Sequence, residues 1–202
     1  EARREAAELR KLHDEFAKME KERAERAAQI DRAQRTEAIL ADPASRQVQL
    51  ATKAANLCEA IPADKYNWRP MEGVRSIAEV CGHFAGTSYL FMQGAGIKIP
   101  ANMQAVVDSY AKLGSDVPAV FKTEAAIGSQ KDTVAAIRAA FDAVREIIRT
   151  GNDEDLTRQV TLFGRPTTLR AALIQLIDHD AEHLGQSIAY ARMNKVVPPW
   201  SK

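Results

Sequence analysis

Apolar positions recur at three- and four-residue spacing in four separate stretches of this chain, and that spacing belongs to helices. The clearest is Val134, Ile137, Phe141, Val144 and Ile148, a seam that Gly151 ends. A second seam, Leu50, Ala54, Leu57, Cys58 and Ile61, opens with Asp42 as N-cap and Pro43 at the first helical position. It must close by Ile61, because the residue before Pro62 is pushed out of the helical region. Ser76-Ile77-Ala78-Glu79 reads as a capping box, which starts a third helix with Ile77, Val80, Phe84, Thr87 and Phe91 on one side. The fourth helix is capped by Thr167 or Thr168 and runs to about Asn194, with Leu169, Leu173, Ile177, Leu184 and Ile188 along its apolar arc. Pro198-Pro199-Trp200 cannot continue it, and Trp200 is expected to pack back on the body.

Between the seams the pattern weakens. Residues 93–129 carry Gly94, Gly96, Pro100, Gly114, Pro118 and Gly128, which predicts a long connection with one short helix near Met103–Leu113. A connection of that length usually has a task, such as covering a site. Residues 156–166 alternate weakly around a Phe163-Gly164 turn and predict a short hairpin. Four apolar helices with these links predict an all-α fold: an antiparallel four-helix bundle over residues 42–202.

Residues 1–41 differ in kind. They hold ten Lys/Arg and ten Asp/Glu with no Gly or Pro, which predicts one long charged helix. Asp14→Lys18, Glu22→Arg26 and Asp31→Arg35 are favourable pairs one turn apart, each contributing about 0.2–0.5 kcal/mol. Leu9, Leu12, Phe16, Met19, Ile30 and Leu40 form a thin stripe that Arg23 and Arg26 interrupt. A solvated extension, a helix that mediates assembly (a homodimer being the simplest case) and an engineered addition all fit this composition.

A length of 202 residues suits one bundle with an appendage, and the formal charge of +1 gives no electrostatic case for nucleic acid or an anionic membrane surface. No run reaches membrane-spanning length, and the N-terminus lacks a signal-peptide pattern, although Glu1 is not an initiator Met. Cys58 and Cys81 are too few for a disulfide framework; Cys58 reads as a small core residue and the compartment as the cytoplasm by default. The expected partner is a small molecule.

The candidate chemistry lies in Asp178-His179-Asp180-Ala181-Glu182-His183, where two of the four histidines stand four residues apart on one helix. Their side chains diverge by only about 40° around the axis, at the border between the apolar arc and the polar face. His83, on the edge of the third helix's apolar side, is the natural third member; His13 sits among charges and reads as a surface residue. Neutral imidazoles suit zinc, nickel, copper and iron, and three of them leave positions open for substrate. The metalloprotease pattern His-Glu-x-x-His is not met, since Asp180 occupies the second position and is too short for that base. Asp180 falls about 100° from His179, inside the apolar arc, and so requires a partner, with Arg69 and Arg75 as candidates.

Tyr66-x-Trp68-Arg69-Pro70, Gly73, Ser76, Glu79 and His83, followed by His179-x-x-x-His183-x-Gly185-Gln186, resembles the DinB-like (YfiT-like) metal-binding bundles over roughly residues 43–202. The resemblance implies His83, His179 and His183 as ligands of one divalent metal, usually nickel or zinc, with Gln186 outside the ligand set. It also implies kinship of fold with transferases that activate a low-molecular-weight thiol on the metal. Here Glu182-His183-Leu184 stands where His-His-Arg is frequent, and losing that Arg weighs against recognition of an anionic cofactor. Two functions follow as expectations: a metal-dependent enzyme of the thiol S-transferase or hydrolase type, or a non-enzymatic metal-binding or stress-associated module.

Overall fold

A computed structural model describes residues 10, 13–27, 43–151 and 153–201. Contacts divide the chain into two units, Glu1–Asp42 and Pro43–Lys202. In the first, residues 13–27 form an exposed helix, α1, with Phe16 and Met19 both open to solvent. The remainder of the long helix expected over 1–41, including the Asp31/Arg35 pair, lies outside the described residues, as does the Asp42 cap. Along α1 it is Lys18 and Glu22 that form an i,i+4 ion pair, at 3.8 Å.

The second unit is built on α2 (Pro43–Ala60), α3 (Ile77–Met92), α6 (Gln130–Thr150) and α8 (Leu169–Met193). Both α6 and α8 pack against α2 and α3, closing the antiparallel four-helix ring that the seams predict. Leu57, Ile137 and Leu176 are fully buried, and Phe84 and Phe141 meet at 6.4 Å between ring centroids. The Ser76–Glu79 capping box is formed in full, and Thr168 caps α8 by accepting from the Ala171 amide.

The long connection differs from its expectation. It holds two helices, α4 (Ala101–Ser109) and α5 (Val117–Ala125), rather than one. Pro118 is not a breaker: it sits in the first turn of α5, where a missing amide costs nothing, and Asp116 caps that turn by accepting from the Ala119 amide. A five-residue helix, α7 (Asp153–Thr157), precedes the hairpin β1 (Gln159–Leu162) and β2 (Arg165–Thr168). The strands are antiparallel, with Leu162 opposite Arg165, so Phe163 and Gly164 make the two-residue turn. Both have positive φ, 51° and 73°, which glycine adopts freely and a bulky residue such as Phe163 adopts at a cost of about 1 kcal/mol or more.

The thiols also depart from their reading. Cys58 is in the core, as expected, but it is bonded to Cys81, joining the end of α2 to the first half of α3. A single pair 23 residues apart carries no spacing pattern by which the sequence could announce it. Trp200 returns to α2, with the Lys53 ammonium 5.6 Å from its ring centroid.

Candidate metal centre

The three candidate histidines meet inside the bundle. His83 projects from α3 and is buried, while His179 and His183 leave one face of α8 and are half-buried. Ring centroids lie 4.5 Å apart for His83–His183 and His179–His183, and 4.9 Å for His83–His179. Each ring offers one nitrogen to a cluster whose atoms all fall within 4.8 Å of one another. The Nε2 atoms of His83 and His179 are 3.1 Å apart. Two nitrogens each ~2.1 Å from a common ion stand ~3–3.4 Å apart, so this spacing already suits shared coordination.

What turns the rings inward is a set of hydrogen bonds on their far sides. His83 donates from Nδ1 to Glu124 Oε1 at 2.6 Å. Glu124 is fully buried on α5 and takes its counter-charge from Arg75, which donates to both carboxylate oxygens at 2.8 and 3.1 Å. The Tyr110 hydroxyl stands 3.3 Å from the same His83 nitrogen. On α8, His183 donates from Nδ1 to Gln186 Oε1 at 2.7 Å, and the Gln186 amide donates to the Tyr190 hydroxyl at 2.8 Å. Tyr190 in turn packs edge-on to Trp68. With Nδ1 occupied, the Nε2 lone pairs of His83 and His183 are left for a ligand role.

The electrostatics agree. Burial lowers the pKa of His83 well below the usual histidine value, aided by the nearby charge of Arg75. Burial likewise pushes His183 down to about 3, with His83 as the next contributor. Both imidazoles are therefore neutral near pH 7, the form that binds metal. Burial raises Glu124 against the opposing pull of Arg75. Three imidazole nitrogen donors, two of them pre-turned, fit a divalent transition ion.

Asp180 does not find the partner that sequence offered it. Arg69 donates to Glu79 and to the Val74 carbonyl, and Arg75 is committed to Glu124. Asp180 is instead buried against α2, where Gln47 donates to its Oδ2 at 3.3 Å. Its other oxygen lies 3.9 Å from His179 Nδ1, beyond a hydrogen bond, and both atoms are buried without a partner. His179 is thus the one ring of the three whose outward nitrogen is unfixed. Burial raises the Asp180 pKa.

The Tyr66–Gly73 loop supports the site from a distance: the Ile77 and Ala78 amides donate to the Trp68 and Tyr66 carbonyls, holding the start of α3. Glu124 and Tyr110 are neighbours of the cluster that sequence reasoning missed, and Arg75, expected beside Asp180, serves Glu124 instead. Their approach depends on two glycines of α3. A Cβ on Gly82 would collide with the Glu124 carbonyl, and one on Gly86 with the Tyr110 hydroxyl. A Gly-x-x-x-Gly spacing around His83 was the available signal of a helix seated close to that face.

Known proteins carry the same architecture. A DinB-like protein from Bacillus cereus is 18% identical with a TM-score of 0.59, over 74% of this chain and 89% of that one. The DinB-like protein YjoA of Bacillus subtilis is 22% identical with a TM-score of 0.54, over 79% and 97%. A conserved protein from Enterococcus faecalis is 14% identical with a TM-score of 0.57, over 74% and 93%. No curated protein matches the chain. The sequence model of the DinB superfamily matches residues 48–187, a span that contains all three clustered histidines and most of the bundle, and the chain belongs to that superfamily.

Proposed function

We propose that the chain is a metal-dependent enzyme of the thiol S-transferase or hydrolase type, with His83, His179 and His183 holding one divalent transition ion, nickel or zinc. The observation that carries this reading is the convergence of three imidazoles, two with Nδ1 anchored so that Nε2 faces the shared point. When bound there, such an ion supplies Lewis acidity to a thiol or water at its open positions. The protein's own part is to hold the His83 and His183 rings neutral and oriented, and to surround the cluster with Phe84, Phe91 and Tyr110. On this reading the partner is a small molecule, with a low-molecular-weight thiol as co-substrate, and neither nucleic acid nor a membrane is involved. Among the described residues, no helix is long and apolar enough to cross a membrane. The default compartment is the cytoplasm, but the Cys58–Cys81 bond favours an oxidising one, where such bonds persist.

Metal analysis of untagged protein beside the His83→Ala/His179→Ala/His183→Ala variant tests the site. One equivalent in the parent and none in the variant is expected; equal, negligible metal in both sinks the proposal. A second reading, a non-enzymatic module that assembles through its N-terminal helix, draws on the exposure of Phe16 and Met19 on α1. Turnover assays with thiols and electrophiles separate the two: bound metal without activity across a broad panel favours the second.

A further inference from the structure

We propose that the hollow between the C-terminal end of α3, α4 and the β-hairpin seats an uncharged, flat organic molecule, gripped by the ring of Phe163 beside the histidine cluster. The hollow measures about 820 Å³, within the usual range of small-molecule sites. Leu90, Val107, Val160 and Leu162 supply apolar wall, and Asp108 is the one formal charge among the lining residues. With no cation to receive it and Asp108 to repel it, a carboxylate or phosphate is disfavoured. A neutral guest meets neither difficulty.

Two side chains connect this hollow to the histidines. Tyr110 lines it and touches His83 through its hydroxyl. Phe163 also lines it and meets Phe91 edge-on at 5.5 Å, while the Phe91 ring lies 5.4 Å from that of His179. Phe163 is 63% exposed in a left-handed turn position where Asn or Gly would be relaxed, and its edge-on contact with Phe91 leaves most of the ring open to a guest. The same ring also borders a second hollow, of about 490 Å³, whose lining includes Arg165 and Gln175, so the aromatic tip stands between the two.

The inference deepens the metal-enzyme reading by naming a substrate class. It rests on that reading only for what the guest encounters at the histidines. Its test uses the full chain, stripped with a chelator and in parallel loaded with zinc, and two probes of equal shape: neutral 2-naphthamide and anionic 2-naphthoate, followed by fluorescence titration. Wild type should bind the amide about tenfold more tightly than the anion, and Phe163→Asn should weaken amide binding by about tenfold through loss of the ring contact. Asparagine suits the left-handed turn, so the thermal midpoint of F163N should not fall. Ala111→Trp, which places a large side chain on the hollow's wall, should also weaken the amide. Failure of the amide to saturate wild type, undiminished binding in either variant, or preference for the anion would each overturn the proposal. Because binding is read on metal-free protein, it succeeds or fails separately from the metal analysis of the triple variant.

Discussion

At the scale of single residues, the shortest hydrogen bond around the cluster is the one from His83 to Glu124, at 2.6 Å. A buried carboxylate that accepts from the outer nitrogen of a ligating imidazole fixes its tautomer and raises its basicity. Glu124→Gln keeps the shape and removes the charge, so it is expected to weaken zinc binding by about 10- to 100-fold while leaving one site per chain. Competition with a chromophoric chelator measures it, and unchanged affinity would leave Glu124 with a packing role alone. The histidines themselves were legible in sequence because helical geometry alone aligns His179 with His183. Glu124 was not. It lies 41 residues from His83, in a segment without an apolar seam, and only tertiary packing brings the two together. Asp180 was read correctly as inward-facing and wrongly partnered, because an amide such as Gln47 gives no charge signal of its own.

At the scale of elements, the four seams, the Ser76 capping box and the Thr168 cap were all visible, since each rests on local chemistry. The helix α5 was obscured by reading Pro118 as a stop, although Asp116 before it marks a start. The link between α2 and α3 was invisible for a different reason: two cysteines define a bond only once their helices are adjacent. That link constrains the unfolded chain. Replacing both Cys58 and Cys81 by Ala is expected to lower the unfolding free energy by about 3 kcal/mol for a loop of this length. Urea denaturation of the oxidised parent and the double variant provides the comparison, and equal midpoints would show that the bond adds nothing to stability. Cys81 lies two residues from His83 on α3, so the same variant also reveals, through its metal content, whether the bond holds that ring in place.

For the whole molecule, two units imply two independent responses. The bundle has its own core, from Leu50 to Ala191, and the histidine cluster draws only on residues within Pro43–Lys202. A chain consisting of residues 43–202 is therefore expected to unfold cooperatively at close to the parent midpoint and to keep its metal stoichiometry. Light scattering on the same sample addresses assembly: if α1 joins copies, the truncated chain becomes monomeric while the parent does not, and identical states remove the helix from the explanation.

The two glycine notches of α3 bear on portability. A three-histidine set looks simple to move to another helical bundle, since it needs only two helices and three substitutions. Here, however, the carboxylate and the phenol behind His83 reach it because Gly82 and Gly86 have no side chains in their way. A host with alanine at those two points would receive the histidines without the groups that aim His83. The minimal transferable unit is therefore the Gly-x-x-x-Gly face together with the helices that sit on it, and drift at either glycine would degrade the centre while every histidine stayed in the sequence.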